Sequence, residues 1–179
     1  MIFATVGTQL PFDRLLLALD DWAKKNRDVP VLAQTGYSSQ RFIAIETVAK
    51  LSIAEFEAHL ASASLIVSHA GMGTILSAAM MGKPVLLMPR REDLKEHRND
   101  HQRDTACEMA RLSNVTVVED KTDLHSALDI ALANDFAPVT MAPDGGVEML
   151  ETLIDEVRDF VWAQQDSVRS GPVLKKLVS

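Results

Sequence analysis

Residues Leu65–Gln102 read LIVSHAGMGTILSAAMMGKPVLLMPRREDLKEHRNDHQ, and this stretch decides the fold. A short apolar run enters a glycine turn at residues 68–74, and an Ala-rich segment of helical character follows. Gly82 and Pro84 end that segment, because glycine can take the left-handed conformation after a last helical turn and proline cannot continue a helix. The apolar run 84–88 then predicts a second strand. The stretch is therefore a βαβ unit with parallel strands and a right-handed crossover.

The glycine turn predicts a phosphate site at the carboxyl edge of this unit. Gly71 and Gly73 lack a Cβ, which lets a ligand approach the backbone, and the free N–H groups and positive dipole of a helix start favour a diphosphate. A turn that merely connects strand and helix fits the same spacing. The dense polar segment after the neighbouring strand, residues 89–102, favours the binding interpretation, since adjacent parallel strands open into one crevice at their carboxyl ends.

The rest of the chain continues the alternation of strands and helices. Apolar runs predict strands at residues 1–6, 29–33, 42–45 and 115–118. Helical spacing of apolar residues predicts helices at 11–25, 53–63, 98–112, 122–133 and 147–165. Ser52 and Glu55 form a capping-box pattern, and Thr122 is the expected cap of its helix. The pattern predicts an α/β fold: a single Rossmann-like domain over 1–166, with a mostly parallel sheet flanked by helices, a loop at 134–146 and a flexible tail at 167–179.

The first predicted strand also ends in a glycine turn. Gly7 and Thr8 follow the apolar run of residues 1–6, and a helix is expected from Pro11. Gly7 and Thr8 should therefore lie at the same edge of the sheet as the turn at Gly71, where they would touch a phosphate or an acceptor. A turn that only joins the two elements is the alternative.

Composition narrows the classes of function. The chain has 179 residues, 47% of them apolar, and a net charge of −7, which argues against general nucleic-acid binding. Arg90 and Arg91 form a local basic pair that is either a phosphate clamp or part of a solvated loop. No apolar run reaches the roughly 20 residues of a membrane span, and the amino terminus reads as a strand, not a signal peptide.

Several sulfur-containing residues are expected in the core. Cys107 is the one cysteine, so an internal disulfide is excluded, and burial as a small helix-packing residue is favoured over a nucleophile. Met80, Met81 and Met88 are likewise expected to be core residues, whereas Met72 lies in the turn, where it can touch a ligand.

Three motifs, in this order along the chain, also resemble a known family. Residues Ser68–Thr74, the Gly82–Pro84 step and the His101-Gln102 pair are similar to the C-terminal, donor-binding domain of family 28 glycosyltransferases. The resemblance implies the fold of the carboxyl-terminal half of a GT-B enzyme.

Within that family the chain resembles stand-alone donor-binding subunits of two-part enzymes, from the opening Thr5–Thr8 to about Gln165. One such subunit is the soluble part of the eukaryotic lipid-linked-oligosaccharide N-acetylglucosaminyltransferase. The segment Glu96–Gln102 looks like the corresponding motif of bacterial exopolysaccharide glycosyltransferase subunits.

The resemblance implies a role for each matching residue. The turn Gly71–Thr74 would hold the diphosphate of a UDP-sugar, and His69 would orient the turn or contact the donor. Asn99, His101 and Gln102 would meet the sugar hydroxyls or the phosphate region. The predicted donor-binding set is Gly7, Thr8, His69, Gly71, Met72, Gly73, Thr74, Arg90, Asn99, His101 and Gln102. No cofactor and no protein-bound metal are implied. The chain departs from many relatives at Ser77, where they carry a Glu that binds ribose hydroxyls.

The resemblance further implies a division of labour between two chains. An inverting transfer needs a base for the acceptor hydroxyl and positive dipoles for the departing diphosphate. The family's base usually lies on the acceptor half, so the base is expected to come from the partner or to emerge at the interface between the two chains, and the catalytic residue is unknown. The expected partner is a membrane-anchored acceptor-binding subunit that presents a lipid-linked saccharide and recruits this cytoplasmic protein to the cytoplasmic face of the membrane. Glucuronic acid, galactose and N-acetylglucosamine all remain open as the transferred sugar.

Other functions fit parts of the sequence. A non-catalytic stabilising or regulatory subunit, whose glycine turns bind no nucleotide, is the main alternative, and Ser77 favours it. His97 and His101 have a spacing that suits zinc on a helix, but the metalloprotease glutamate is missing and no third ligand is evident. A Rossmann dehydrogenase is disfavoured because the first turn lacks the GxGxxG fingerprint.

Overall fold

A computed structural model describes residues 1–136, which lie in the first of the two units into which the chain divides, Met1–Ala142. Its strands are β1 (Ile2–Thr5), β2 (Val31–Gln34), β3 (Glu46–Val48), β4 (Leu65–Ser68), β5 (Val85–Leu87) and β6 (Val115–Val117). Its helices are α1 (Asp13–Ala23), α2 (Ile53–Ser62), α3 (Met72–Met80), α4 (His101–Met109) and α5 (Lys121–Ala133). The predicted loop beyond residue 136, the helix at 147–165 and the tail lie outside the described residues.

The six strands form one parallel sheet in the order β3-β2-β1-β4-β5-β6, which confirms the predicted α/β fold. The strand order runs outward in both directions from the β1–β4 pair, so the topological switch point lies between these two strands. In open α/β sheets a ligand crevice forms at that point, outside the carboxyl ends of the strands. Thr5 pairs with Ser68, so the turns after β1 and β4 start level with each other.

Helices cover both faces of the sheet, which explains why the strands are apolar on both sides. Successive side chains of β1 point to opposite faces. Ile2 belongs to a core cluster that includes Leu15 of α1 and Leu128 of α5. Phe3 faces the other way, and its ring lies 5.7 Å from that of Phe56 in α2. All four residues of β1 are buried, so the strand is a rigid base for the turn that follows it.

The third strand begins later than predicted. The sequence predicts residues 42–45, whereas the structure has β3 at Glu46–Val48. The cause is the carboxylate of Asp20 in α1, which is 2% exposed and accepts hydrogen bonds from the N–H groups of Ile43 and Ala44 at 2.9 and 2.8 Å. These N–H groups are thereby tied to a helix, and the strand starts only after Ile45.

Two helix starts also differ from the prediction. The cap of α5 is Asp120, not Thr122, since its carboxylate accepts from the N–H groups of Thr122 and Asp123 at 2.7 and 3.0 Å. A carboxylate acceptor at the N-cap also complements the helix dipole. Helix α4 begins at His101 instead of residue 98, and turns occupy the segment before it.

Some of the expected core residues are exposed. Met88 is fully buried, as predicted, but Met80 and Met81 are 69% and 39% exposed because they lie at the end of α3. Cys107 is also exposed, so its predicted burial is wrong. The buried face of α4 is formed by Gln102, Ala106 and Met109, and Cys107 does not fall on that helical repeat.

Candidate functional site

A cleft of about 350 Å³ opens at the switch point of the sheet, among the loops that follow β1, β4 and β5. All of the predicted donor-binding residues except Asn99 line it. The full lining is Val6, Gly7, Thr8, Gln9, Leu10, His69, Ala70, Gly71, Met72, Gly73, Thr74, Arg90, His97, His101, Gln102 and Thr105. The structure thus brings together residues from three separate parts of the sequence.

The amino terminus of α3 forms one wall of this cleft. The N–H of Gly71 donates to the carbonyl of His69 at 2.7 Å, and in the described part of the chain no side chain caps the helix. The N–H groups of Met72, Gly73 and Thr74 are the first of the helix and have no intrahelical acceptor. Free N–H groups together with the positive end of the helix dipole make an anion-binding surface.

His69 is packed between two glycines. A Cβ at Gly71 would lie 2.2 Å from His69 Cε1, and a Cβ at Gly7 would lie 2.6 Å from His69 Nε2. Gly7 also has a φ of +73°, in the left-handed region that favours glycine. Gly71 therefore makes room for the imidazole, a reason that the sequence interpretation did not consider. A Cβ at Gly73, by contrast, would meet no described atom within 4 Å, so the approach to that backbone is open.

Gln102 connects His69 to the loop after β5. Its Oε1 accepts a hydrogen bond from the backbone N–H of Arg90 at 3.1 Å, and its Nε2 lies 3.1 Å from His69 Nδ1. Burial, with a further contribution from the nearby Arg90 guanidinium, lowers the pKa of His69 to about 4. His69 is therefore a neutral imidazole at physiological pH.

Arg90 lies beneath the cleft and is only 3% exposed, so it is not part of a solvated loop. Its Nη2 donates to the carbonyls of Val6 and Leu10, both at 2.7 Å. Its Nη1 donates to the carbonyls of Pro11 and Glu96 at 2.7 and 3.1 Å. All four terminal N–H groups are thus taken up by backbone oxygens, and Nε is the donor left for any direct contact with a phosphate.

A second arginine, which the sequence interpretation missed, fixes the same loop from outside. Arg14 holds the carboxylate of Glu96 through two bonds of 2.8 Å and donates to the carbonyls of Pro89 and Glu119 at 2.8 and 2.7 Å. Glu96, part of the family-like second motif, is therefore a structural anchor. Arg91 is half-buried and pairs with Asp93, away from the cleft lining.

Asn99 lies outside the cleft but contacts two residues that line it. Its Oδ1 lies 3.1 Å from His97 Nδ1 and also hydrogen-bonds His101 Nδ1. The two rings meet edge to face, with centroids 4.5 Å apart. Within the described residues there is no group of three or more His, Cys, Asp or Glu side chains that suits a metal ion. In this structure Asn99 positions the two imidazoles.

Some lining residues were not predicted from the sequence. Thr105 lies one helical turn after His101, and the i, i+4 spacing on α4 was a signal for it. Gln9 follows directly on Gly7 and Thr8, so its position was also readable. His97 was placed in the polar segment after the second strand and considered as a metal ligand, but it was not included in the predicted donor-binding set.

The fold and the cleft define a Rossmann-type α/β domain whose switch-point site is suited to a phosphate group. The chain belongs to the glycosyltransferase family 28 C-terminal domain: the sequence model of that family matches residues 1–156. This match confirms the family that the three motifs indicate.

The chain is also similar to individual known proteins, one in sequence and two in structure. It is 24% identical, over 178 residues, to the UDP-N-acetylglucosamine transferase subunit ALG13 of Yarrowia lipolytica, with 90% of this chain and 86% of that protein covered. The solved structure of Acinetobacter baumannii MurG superimposes with a TM-score of 0.53 at 18% identity, covering 86% of this chain and 49% of MurG. A putative UDP-N-acetylglucosamine 2-epimerase from Listeria monocytogenes gives 0.58 at 13% identity, covering 89% of this chain and 45% of the epimerase. The chain thus spans less than half the length of these two structures, and the likeness to them shows the shared fold.

The two glycines of the turn should respond differently to alanine. We expect Gly71→Ala to lower the free energy of unfolding by about 1–3 kcal/mol, because the new Cβ would displace a packed imidazole. Gly73→Ala is the matched control: it adds the same methyl group in open space and favours the helix, so stability should be unchanged or rise by up to about 1 kcal/mol. Urea unfolding of both variants measures the difference. Equal losses would contradict the packing of His69 against Gly71.

Replacement of the buried arginine by lysine tests its structural role. Lysine keeps the charge but cannot reach four carbonyls with one ammonium group, so we expect Arg90→Lys to cost about 2–4 kcal/mol of unfolding free energy. Arg91→Lys makes the same change at the neighbouring, solvent-accessible residue and should have little effect. Chemical denaturation of the pair measures this. If the two variants are equally stable, Arg90 does not hold the loops together.

The lowered pKa of His69 predicts an acid-sensitive fold. The unfolded chain binds a proton at His69 near pH 6.5, whereas the folded chain does so only near pH 4. Stability from this residue is thus complete above pH 6.5 and is lost as the pH falls from there towards 4, by roughly 2 kcal/mol between pH 7 and 5. Urea unfolding at both pH values measures the change. A His69→Gln variant should lack this part of the pH dependence, and an equal pH dependence in both proteins would refute the assignment.

Proposed function

We propose that this chain is the donor-binding subunit of a two-component inverting glycosyltransferase that transfers a hexosyl group from a UDP-sugar. The observation that carries the proposal is the uncapped amino terminus of α3, which faces the cleft at the switch point of the sheet. Among the described residues that line the cleft none is acidic, so nothing there repels a diphosphate. Family membership and the similarity to ALG13, a UDP-N-acetylglucosamine transferase subunit, support a nucleotide-sugar donor.

In the proposed reaction this subunit stabilises the leaving group. As the sugar leaves, negative charge grows on the diphosphate of UDP, and the N–H groups at Met72, Gly73 and Thr74 are already oriented towards it. Preorganised dipoles of this kind need no rearrangement during the reaction. The donor-binding residues therefore act on the departing UDP, and the sugar carbon is left open to attack from the opposite side.

The base belongs to another chain in this proposal. A general base near neutral pH needs a pKa close to the operating pH, and the partly buried imidazole of His69 does not meet that condition, since its pKa is lowered to about 4. We propose that a membrane-anchored acceptor-binding partner supplies the base together with a lipid-linked saccharide, in exopolysaccharide or another polysaccharide synthesis. That partner would hold this protein at the cytoplasmic face of the membrane. Within residues 1–136, no helix has the length and apolar character needed to cross a membrane.

A non-catalytic regulatory subunit is the second candidate. Ser77 stands where the family resemblance implies a ribose-binding Glu; it lies in α3 but is not among the residues that line the cleft. This favours a site with weakened nucleotide recognition. The two candidates differ in one measurable property: a donor-binding subunit binds UDP, whereas the regulatory subunit does not.

Calorimetric titration with UDP tests the proposal. The wild-type chain should bind UDP saturably, and Gly73→Asp should weaken binding at least tenfold, about 1.4 kcal/mol or more, by placing a carboxylate beside the diphosphate. Gly73→Asn is the matched control, because it has nearly the same shape without the charge and should bind more tightly than Gly73→Asp. Uridine, which lacks the diphosphate, should bind far more weakly than UDP. Absence of UDP binding even with a co-expressed partner would replace the catalytic proposal by the regulatory one.

A further inference from the structure

The orientation of the Gln102 side chain is determined by a backbone group. The N–H of Arg90 can only donate a hydrogen bond, and it lies 3.1 Å from one end of the Gln102 amide. That end must be the oxygen, so the amide nitrogen is the end that lies 3.1 Å from His69 Nδ1. Gln102 is 5% exposed, and each end of its amide is bonded inside the protein.

This orientation decides which nitrogen of His69 carries the proton. An amide NH₂ group is a donor only, so His69 Nδ1 must accept and cannot be protonated. A neutral imidazole has one N–H, which must then be on Nε2. Nε2 lies on the side of the ring that faces Gly7 and Gly71, both in the cleft wall, and it has no hydrogen-bond partner among the described residues.

We propose that Gln102 is a positioning residue that holds His69 as a neutral Nε2–H donor directed at the diphosphate of the nucleotide-sugar. The identity of the acceptor rests on the proposed function, whereas the position of the proton does not. The role differs from the one that the family resemblance implies for Gln102, contact with the sugar hydroxyls or the phosphate region. The two contacts of Gln102, with the backbone N–H of Arg90 and with His69, link the loop after β5 to the loop after β4. The Nε2–H group of His69 is therefore oriented before the ligand binds.

Nitrogen-15 NMR of the histidine rings tests the position of the proton directly. With His69 assigned through its own backbone, the wild-type protein at pH 7 should show the neutral Nε2–H form. Gln102→Glu keeps an oxygen for the N–H of Arg90 but presents a carboxylate oxygen to Nδ1, so the proton should move to Nδ1 or the ring should become charged. Gln40→Glu makes the same change at an exposed residue outside the cleft and should leave His69 as in the wild type.

Affinity for UDP tests whether the Nε2–H group of His69 binds the diphosphate. Loss of a hydrogen bond to a charged group should weaken UDP binding at least ~10-fold in Gln102→Glu, with less than a ~2-fold change in Gln40→Glu. Gln102→Met removes the amide without adding charge. It should give a mixture of the two neutral His69 forms and an intermediate loss of affinity, which separates the effect of the proton from that of the new carboxylate.

Two results would overturn the role of Gln102: a wild-type His69 protonated on Nδ1, or an unchanged Nε2–H form in Gln102→Glu. A different result concerns the ligand. If the proton positions are as expected but the wild-type protein binds no UDP, even with a co-expressed partner, the diphosphate is wrong as the acceptor and the proposed function fails with it, while Gln102 keeps its positioning role. The NMR measurement needs no ligand, so the two failures are distinguishable.

Discussion

One buried guanidinium bonded to four backbone carbonyls holds the cleft together. Arg90 reaches the carbonyls of Val6, Leu10 and Pro11 across 79 to 84 residues of sequence. Its guanidinium also lies 4.6 Å from the ring centroid of Phe12, which is fully buried. Buried carbonyls without donors are costly, and a charged donor satisfies them more strongly than a neutral one. Burial lowers the pKa of Arg90 to about 10, which still leaves it positively charged at neutral pH.

The rest of the site follows from this anchor. Because Arg90 fixes the carbonyl of Val6, it also fixes the adjacent Gly7, whose backbone packs against the His69 ring. The backbone N–H of Arg90 orients the side chain of Gln102, and Gln102 contacts the Nδ1 side of the His69 ring. Three loops that are distant in sequence are thus connected to one another through contacts with the His69 imidazole. A site supported in this way is organised before any ligand binds, which is what precise recognition requires.

The sequence was sufficient for the sheet and for most of the cleft lining, because strands, helix periodicity and glycine turns are local signals. Parallel topology then brings the turns after β1, β4 and β5 to one edge. The roles of Arg90, Arg14 and Asp20 had no such signal: their partners are mainly backbone groups, which every residue carries, and only the fold shows which ones come close. The misplaced third strand has the same origin, since Asp20 binds the N–H groups of Ile43 and Ala44.

The hydrogen-bond partners of Arg90 and Arg91 determine which groups of the cleft can attract an anion. The terminal N–H groups of Arg90 donate to backbone carbonyls, and Arg91 pairs with Asp93. Among the described lining residues, the directed positive character therefore comes chiefly from the start of α3, and the backbone provides it. Backbone N–H groups recognise the shape and charge of a phosphate but carry no information about a sugar. Selectivity for the sugar must then arise from side chains beyond this helix start or from the second chain that the proposed reaction requires.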